Sequence, residues 1–139
     1  MLKTNKESVQ VDKFKLSWLL LGALTLSACS SSDSNGDPAP QQWQGVSMQV
    51  DTRPNPPEQG MNEIVVTAND IKRNIPAWDL IISIRTAKQD DWVQMIEDGR
   101  MGVYRRAVRI EPGERSVLQI QVKHENAVGE LRFPLKLTQ

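Results

Sequence analysis

Cysteine occurs once in this chain, at position 29, and histidine once, at position 124. A disulfide framework, a CxxC redox pair and a zinc finger are therefore excluded. There is also no basic excess. Four lysines and two acids lie in the first 29 residues, which leaves thirteen basic against fifteen acidic residues in the remainder. Nucleic-acid-binding domains carry a strong positive balance, so no nucleic-acid partner is expected. No apolar run approaches the about 20 residues of a transmembrane helix, and no twelve-residue stretch keeps helical periodicity unbroken. Catalytic groupings are missing too. His124 has no nucleophile and orienting group near it in sequence, and Gly99-Arg100-Met101-Gly102 lacks the strand–loop–helix setting of a phosphate loop. The carboxylate pairs Asp90-Asp91 and Glu97-Asp98 read as solvated turn acids, and the chain is expected not to be an enzyme.

What is present begins with an export signal. Lys3, Lys6, Lys13 and Lys15 precede the apolar run Leu16–Ala28. Thirteen helical residues span about 20 Å, short of the ~30 Å hydrocarbon core but right for the apolar stretch of a signal peptide. The run ends in Leu26-Ser27-Ala28-Cys29, which resembles the lipobox of bacterial lipoproteins. That resemblance implies cleavage before Cys29, residues 1–28 being the signal peptide, and a diacylglyceryl thioether and an amide-linked acyl chain such as palmitate on Cys29. Several acyl chains make a stable membrane anchor where one would be marginal. Ser30, rather than aspartate, follows the cysteine, which favours the outer membrane over the inner, with the body facing the periplasm. Residues 29–45 (CSSSDSNGDPAPQQWQG) are too polar to offset their ordering entropy and read as a flexible tether.

From Val46 to the end, residues 46–139, apolar spacing follows period two. Val46, Met48 and Val50 alternate with polar residues. Met61–Thr67 is β-branched and reads as buried on both faces. Leu80, Ile82 and Ile84 form a third stripe. In the fourth segment, Trp92, Gln94 and Ile96 oppose Val93 and Met95. The fifth stripe is Tyr104, Val108 and Ile110, with Arg105, Ala107 and Arg109 on its other face. Leu118, Ile120 and Val122 form the sixth, and Leu131, Phe133, Leu135 and Leu137 the seventh. Asp98-Gly99, Pro112-Gly113 and Glu125-Asn126 supply turn chemistry, and Pro134 suits an edge strand. This pattern predicts an all-β, antiparallel, immunoglobulin-like β-sandwich of about seven strands.

The order of features in Pro56-Pro57-Glu58-Gln59-Gly60-Met61-Asn62-Glu63-Ile64-Val65-Val66, the turn region Asp70–Pro76, Gly102-Val103-Tyr104 and Pro112-Gly113 resembles the YtkA-like (FixH-like) family of small bacterial envelope domains. The resemblance runs over about residues 46–138. It implies an immunoglobulin-type fold in the bacterial envelope and, for some relatives, association with copper handling or respiratory-oxidase assembly. The chain departs from the family in having only Met95 and Met101 where relatives carry a Met-Pro-x-Met segment, and Gly113-Glu114-Arg115 where they carry Gly-x-Trp.

Two sets of side chains are candidates for chemistry. Met95, Met101 and His124 are soft ligands suited to Cu(I), set against the blander reading of core fillers and a strand-end histidine. Arg100, Arg105, Arg106 and Arg109 concentrate positive charge on and near the fifth strand, as a docking surface or as a charged face that discourages sheet-to-sheet pairing. Trp78 and Trp92 are expected in the core. The expectation is a non-catalytic, lipid-anchored module that contacts another envelope protein and needs no cofactor beyond its covalent lipid. A copper-binding or oxidase-assembly accessory is the alternative.

Overall fold

The computed structural model describes residues 37–87, 90–111 and 117–138; Cys29, Pro112-Gly113 and Arg115 lie outside them. Among the described residues there is no helix. The strands are β1 (Gln41–Trp43), β2 (Val46–Arg53), β3 (Gly60–Asp70), β4 (Ile75–Pro76), β5 (Ile81–Arg85), β6 (Val93–Gln94), β7 (Ile96–Glu97), β8 (Val103–Ile110), β9 (Val117–His124) and β10 (Ala127–Pro134). They form two antiparallel sheets, one ordered β1-β2-β3-β8-β7 with β4 paired to β3, the other ordered β10-β9-β5-β6. The fold is an all-β sandwich.

Period-two patterning dictates which side chains meet between the sheets. Met48 and Val50 from β2, Ile64, Val66 and Ala68 from β3, and Tyr104 and Ile110 from β8 face Ile82, Ile84, Leu118, Ile120, Val122 and Phe133 from the other sheet. Burying each large aliphatic side chain contributes about 1.5–3 kcal/mol, and this interlocking layer opposes the chain entropy. Asn62 is a buried polar side chain on β3. Its Oδ1 accepts from Glu58 N–H at 3.0 Å and its Nδ2 donates to Glu58 O at 2.7 Å and Gly60 O at 3.0 Å, clamping the loop that feeds β3. Pro134, which lacks an N–H, ends β10 at the margin of its sheet, and the chain then crosses to donate Thr138 N–H to Pro57 O at 3.0 Å.

Three expectations are corrected. The strands among the described residues number ten rather than seven. The expected fourth strand is two: β6 pairs with β5 in one sheet and β7 with β8 in the other. Met95 sits at the crossing, 3% exposed, its N–H donating to Ile82 O at 2.8 Å. An unbranched thioether adapts to such a gap between layers. Second, folding starts before residue 46. Gln41–Gly45, expected in the tether, supply β1 and a two-residue turn in which Gln44 (φ 48°) and Gly45 (φ 80°) both take the left-handed conformation of a type I′ hairpin. Trp43 from β1 packs against the core and lies on Gly129 of β10, where any Cβ would overlap the indole. The Gln41 side-chain amide donates to Arg132 O on the same strand, so β1 ties the two sheets along one seam. Third, Met61, expected inside, is exposed on the outer face of β3, whereas Val65 on that face is buried.

Candidate interaction surface

The loop from Asp98 to Gly102 reverses the chain between β7 and β8. Gly99, Arg100 and Gly102 take positive φ, and Asp98 N–H closes the loop onto Val103 O at 2.7 Å. Gly102 is obligatory twice over: its φ is +67°, and a Cβ would run into the Ala68 carbonyl oxygen. Drawing the loop this close to residues 76–77 brings Tyr104 across the core, where its hydroxyl donates to Ala77 O at 3.0 Å and accepts from Leu80 N–H at 3.3 Å. Tyr104 is 1% exposed, and burial pushes its phenol up to about 12.

The four arginines separate. Arg100 stacks over Trp78, 3.9 Å from the ring centroid, away from the others. Arg105 projects from the outer face of β8 and is held by Asp98 at 3.1 Å and Glu63 at 3.9 Å. Arg109 stands 3.9 Å from Glu111 with both side chains exposed, a weak pair. Arg106 has the inward parity of Tyr104 and Val108 and has no ion-pair or hydrogen-bond partner for its side chain among the described residues.

Arg106 and Ala107 line two clefts at once. One, of about 650 Å³, is bounded by Glu63, Ile96, Glu97, Asp98 and Arg105. The other, of about 400 Å³, runs between the sheets and is floored by Ile84, Val93 and Val108, with Asp90, Asp91 and Arg109 at its rim. Asp90 is engaged locally, accepting from the Thr86 hydroxyl at 2.9 Å and Ala87 N–H at 3.0 Å. Glu97 keeps a buried Oε1 without a donor. The structure thus brings together Arg105, Arg106 and Arg109 but not Arg100. Glu63, Ile96, Glu97 and Ala107 join the surface although the sequence did not single them out for it. Their common property is adjacency in strand order, which no linear spacing encodes; the one available signal was a small residue, Ala107, between two arginines.

The candidate soft ligands occupy different surroundings. Met95 is in the core, Met101 is 58% exposed in the 98–102 loop, and His124 Nε2 lies 3.1 Å from Asp79 Oδ2. Among the described residues no three His, Cys, Asp or Glu side chains group as metal ligands. Trp78 and Trp92 are not the core aromatics expected. Trp78 is 40% exposed beneath Arg100, and Trp92 is half-buried with Arg85 4.3 Å over its ring. A ring with one apolar face and a cation-attracting quadrupole is satisfied at a rim.

The chain was compared with protein families, curated proteins and solved structures. None matches.

Proposed function

We propose that this protein is a non-catalytic, lipid-anchored envelope protein whose β-sandwich serves as an interaction module facing the periplasm, carried on the outer membrane. Cys29 holds the lipid in this reading, a short tether gives reach, and the sandwich is of immunoglobulin-like kind, as the resemblance to YtkA-like domains implies. The observation that carries it is the arginine-bearing strand β8, whose Arg106 and Ala107 open onto two clefts without a counter-ion for Arg106 among the described residues. A half-buried cation without a counter-ion, opening onto two clefts, suits recognition of a partner with negative charge.

Two measurements test the reading. The native protein should incorporate labelled palmitate and the Cys29→Ser variant should not; labelling of that variant would refute the lipid anchor. The tagged, full-length protein should co-purify from detergent-solubilised membranes with a defined envelope protein after mild crosslinking. Recovery that is unchanged when Arg105, Arg106 and Arg109 are all replaced by glutamate would refute the arginine surface.

A further inference from the structure

Strand β8 is only partly covered on the side away from β3. Strand β7 faces it at Tyr104 and Arg105 alone. Gly102 O takes Ala68 N–H, while Val103 O takes Asp98 N–H on the opposite side. Alternation along the strand then turns the main-chain groups of even residues toward β3 and those of odd residues toward β7. Beyond Arg105, this leaves the N–H and C=O of Ala107 and the N–H of Arg109 without a strand partner among the described residues; Arg109 O lies 3.4 Å from the Thr86 hydroxyl, whose proton goes to Asp90 at 2.9 Å. Such an edge is a template for another strand.

We infer that the β8 edge from Arg106 to Arg109 accepts an extended acidic segment of another envelope protein as an added antiparallel strand. This rests on the reading of the protein as an envelope interaction module and names the chemistry of its partner. An antiparallel segment meets Arg109 first, then Val108, Ala107 and Arg106. The residue opposite Ala107 exchanges both main-chain hydrogen bonds with it. Its neighbours turn into the inter-sheet cleft, one against Val108, Ile84 and Val93, the other against Arg106. The segment therefore reads acid–apolar–any–acid, with its last acid on Arg106 and its first on Arg109, whose own contact to Glu111 is weak. Neighbouring carboxylates do not already satisfy Arg106: Asp98 and Glu63 hold Arg105, and Asp90 caps the 86–87 turn. A second copy of this chain fits badly. Pairing β8 with β8 about Ala107 sets Arg109 opposite the copy's Arg105, a position already flanked by Ile96, and like charges directly opposite destabilise.

The test uses the full-length lipidated chain in its native host, with a photoreactive residue placed at position 107, at exposed Ile96 beside the edge, or at exposed Val128 on β10 as a control. Crosslinked peptides are sequenced by mass spectrometry. The expected adducts at 107 or 96 map to a segment of another protein with the acid–apolar–any–acid pattern. A synthetic peptide of that segment should bind the purified protein, with Arg106→Glu weakening it about tenfold or more and Arg106→Lys restoring part of the loss. Adducts to a second copy, adducts to a segment without carboxylates, or binding indifferent to Arg106→Glu would overturn the inference. Adducts at 128 alone would overturn it while leaving the interaction-module reading standing, and adducts at none of the three would sink both.

Discussion

Replacing Tyr104 with phenylalanine removes one oxygen and orphans two main-chain groups. In the native protein the Tyr104 hydroxyl bridges Ala77 O and Leu80 N–H, and all three residues are buried. Leaving a buried donor or acceptor unpaired costs about 1–3 kcal/mol each, so the variant should lose about 2–6 kcal/mol at pH 8. In a body of this size that lowers Tm by roughly 10 °C or more. The phenol supplies a second signature. Burial holds its pKa at about 12, against about 10 in an unfolded chain. Between pH 10 and 12 the unfolded state releases this proton while the folded state keeps it, so the native protein loses stability as pH rises, by up to about 3 kcal/mol. Tyr104→Phe has no such proton, and every other titrating group is common to both proteins. The stability gap between them should therefore narrow from pH 10 to pH 12. Urea unfolding followed by tryptophan fluorescence at pH 8, 10, 11 and 12 measures it. A gap under about 0.5 kcal/mol at pH 8, or one that stays constant to pH 12, would refute the buried bridge.

Three further outcomes follow from packing. Gly102→Ala adds a Cβ against the Ala68 carbonyl and forces alanine to φ +67°, and should cost about 2–4 kcal/mol in denaturant unfolding. Gly129→Ala should evict Trp43 from its seat, shift the tryptophan emission to the red and cost about 1–3 kcal/mol; an unchanged spectrum would contradict the packing of β1 on β10. Thr52→Val runs in the opposite direction. The Thr52 hydroxyl is buried without a partner, so its removal should raise stability by about 1 kcal/mol, and a loss of stability would show that the hydroxyl is satisfied in solution.

Alternation made most of the two sheets legible. Met48 and Val50, Ile82 and Ile84, and Leu118, Ile120 and Val122 announce their inward face because a half-buried strand repeats every two residues. The same rule hid the crossing at Met95. Period two continues unbroken from Trp92 to Ile96 whether or not the backbone changes sheets, so one strand and two look alike in sequence. β1 was concealed differently: Gln41–Trp43 is surrounded by residues typical of a linker, and Gln44-Gly45 makes the turn that Asn-Gly more often makes. At the candidate surface, parity along β8 already separated Arg106 from Arg105 and Arg109. Their partners could not be read, because Glu63 and Asp98 come within reach only once β3, β8 and the 98–102 loop are laid side by side. The tryptophans misled for a related reason: an aromatic residue suits a core and a rim equally, and only the position of Arg85 and Arg100 decides between them.

The seam made by Trp43 on Gly129 fastens β1 to the second sheet. The chain enters the fold at β1, and the open stretch of β8 lies three places along the same sheet, about 15 Å across at the usual spacing of strands. On the lipid-anchored reading proposed above, a pull from Cys29 would reach the described body at β1, at the margin opposite the uncovered edge. On that reading β1 would bear the load, as a hoist bears a pennant, and the open stretch of β8 would stand clear of it on the far side of the sheet.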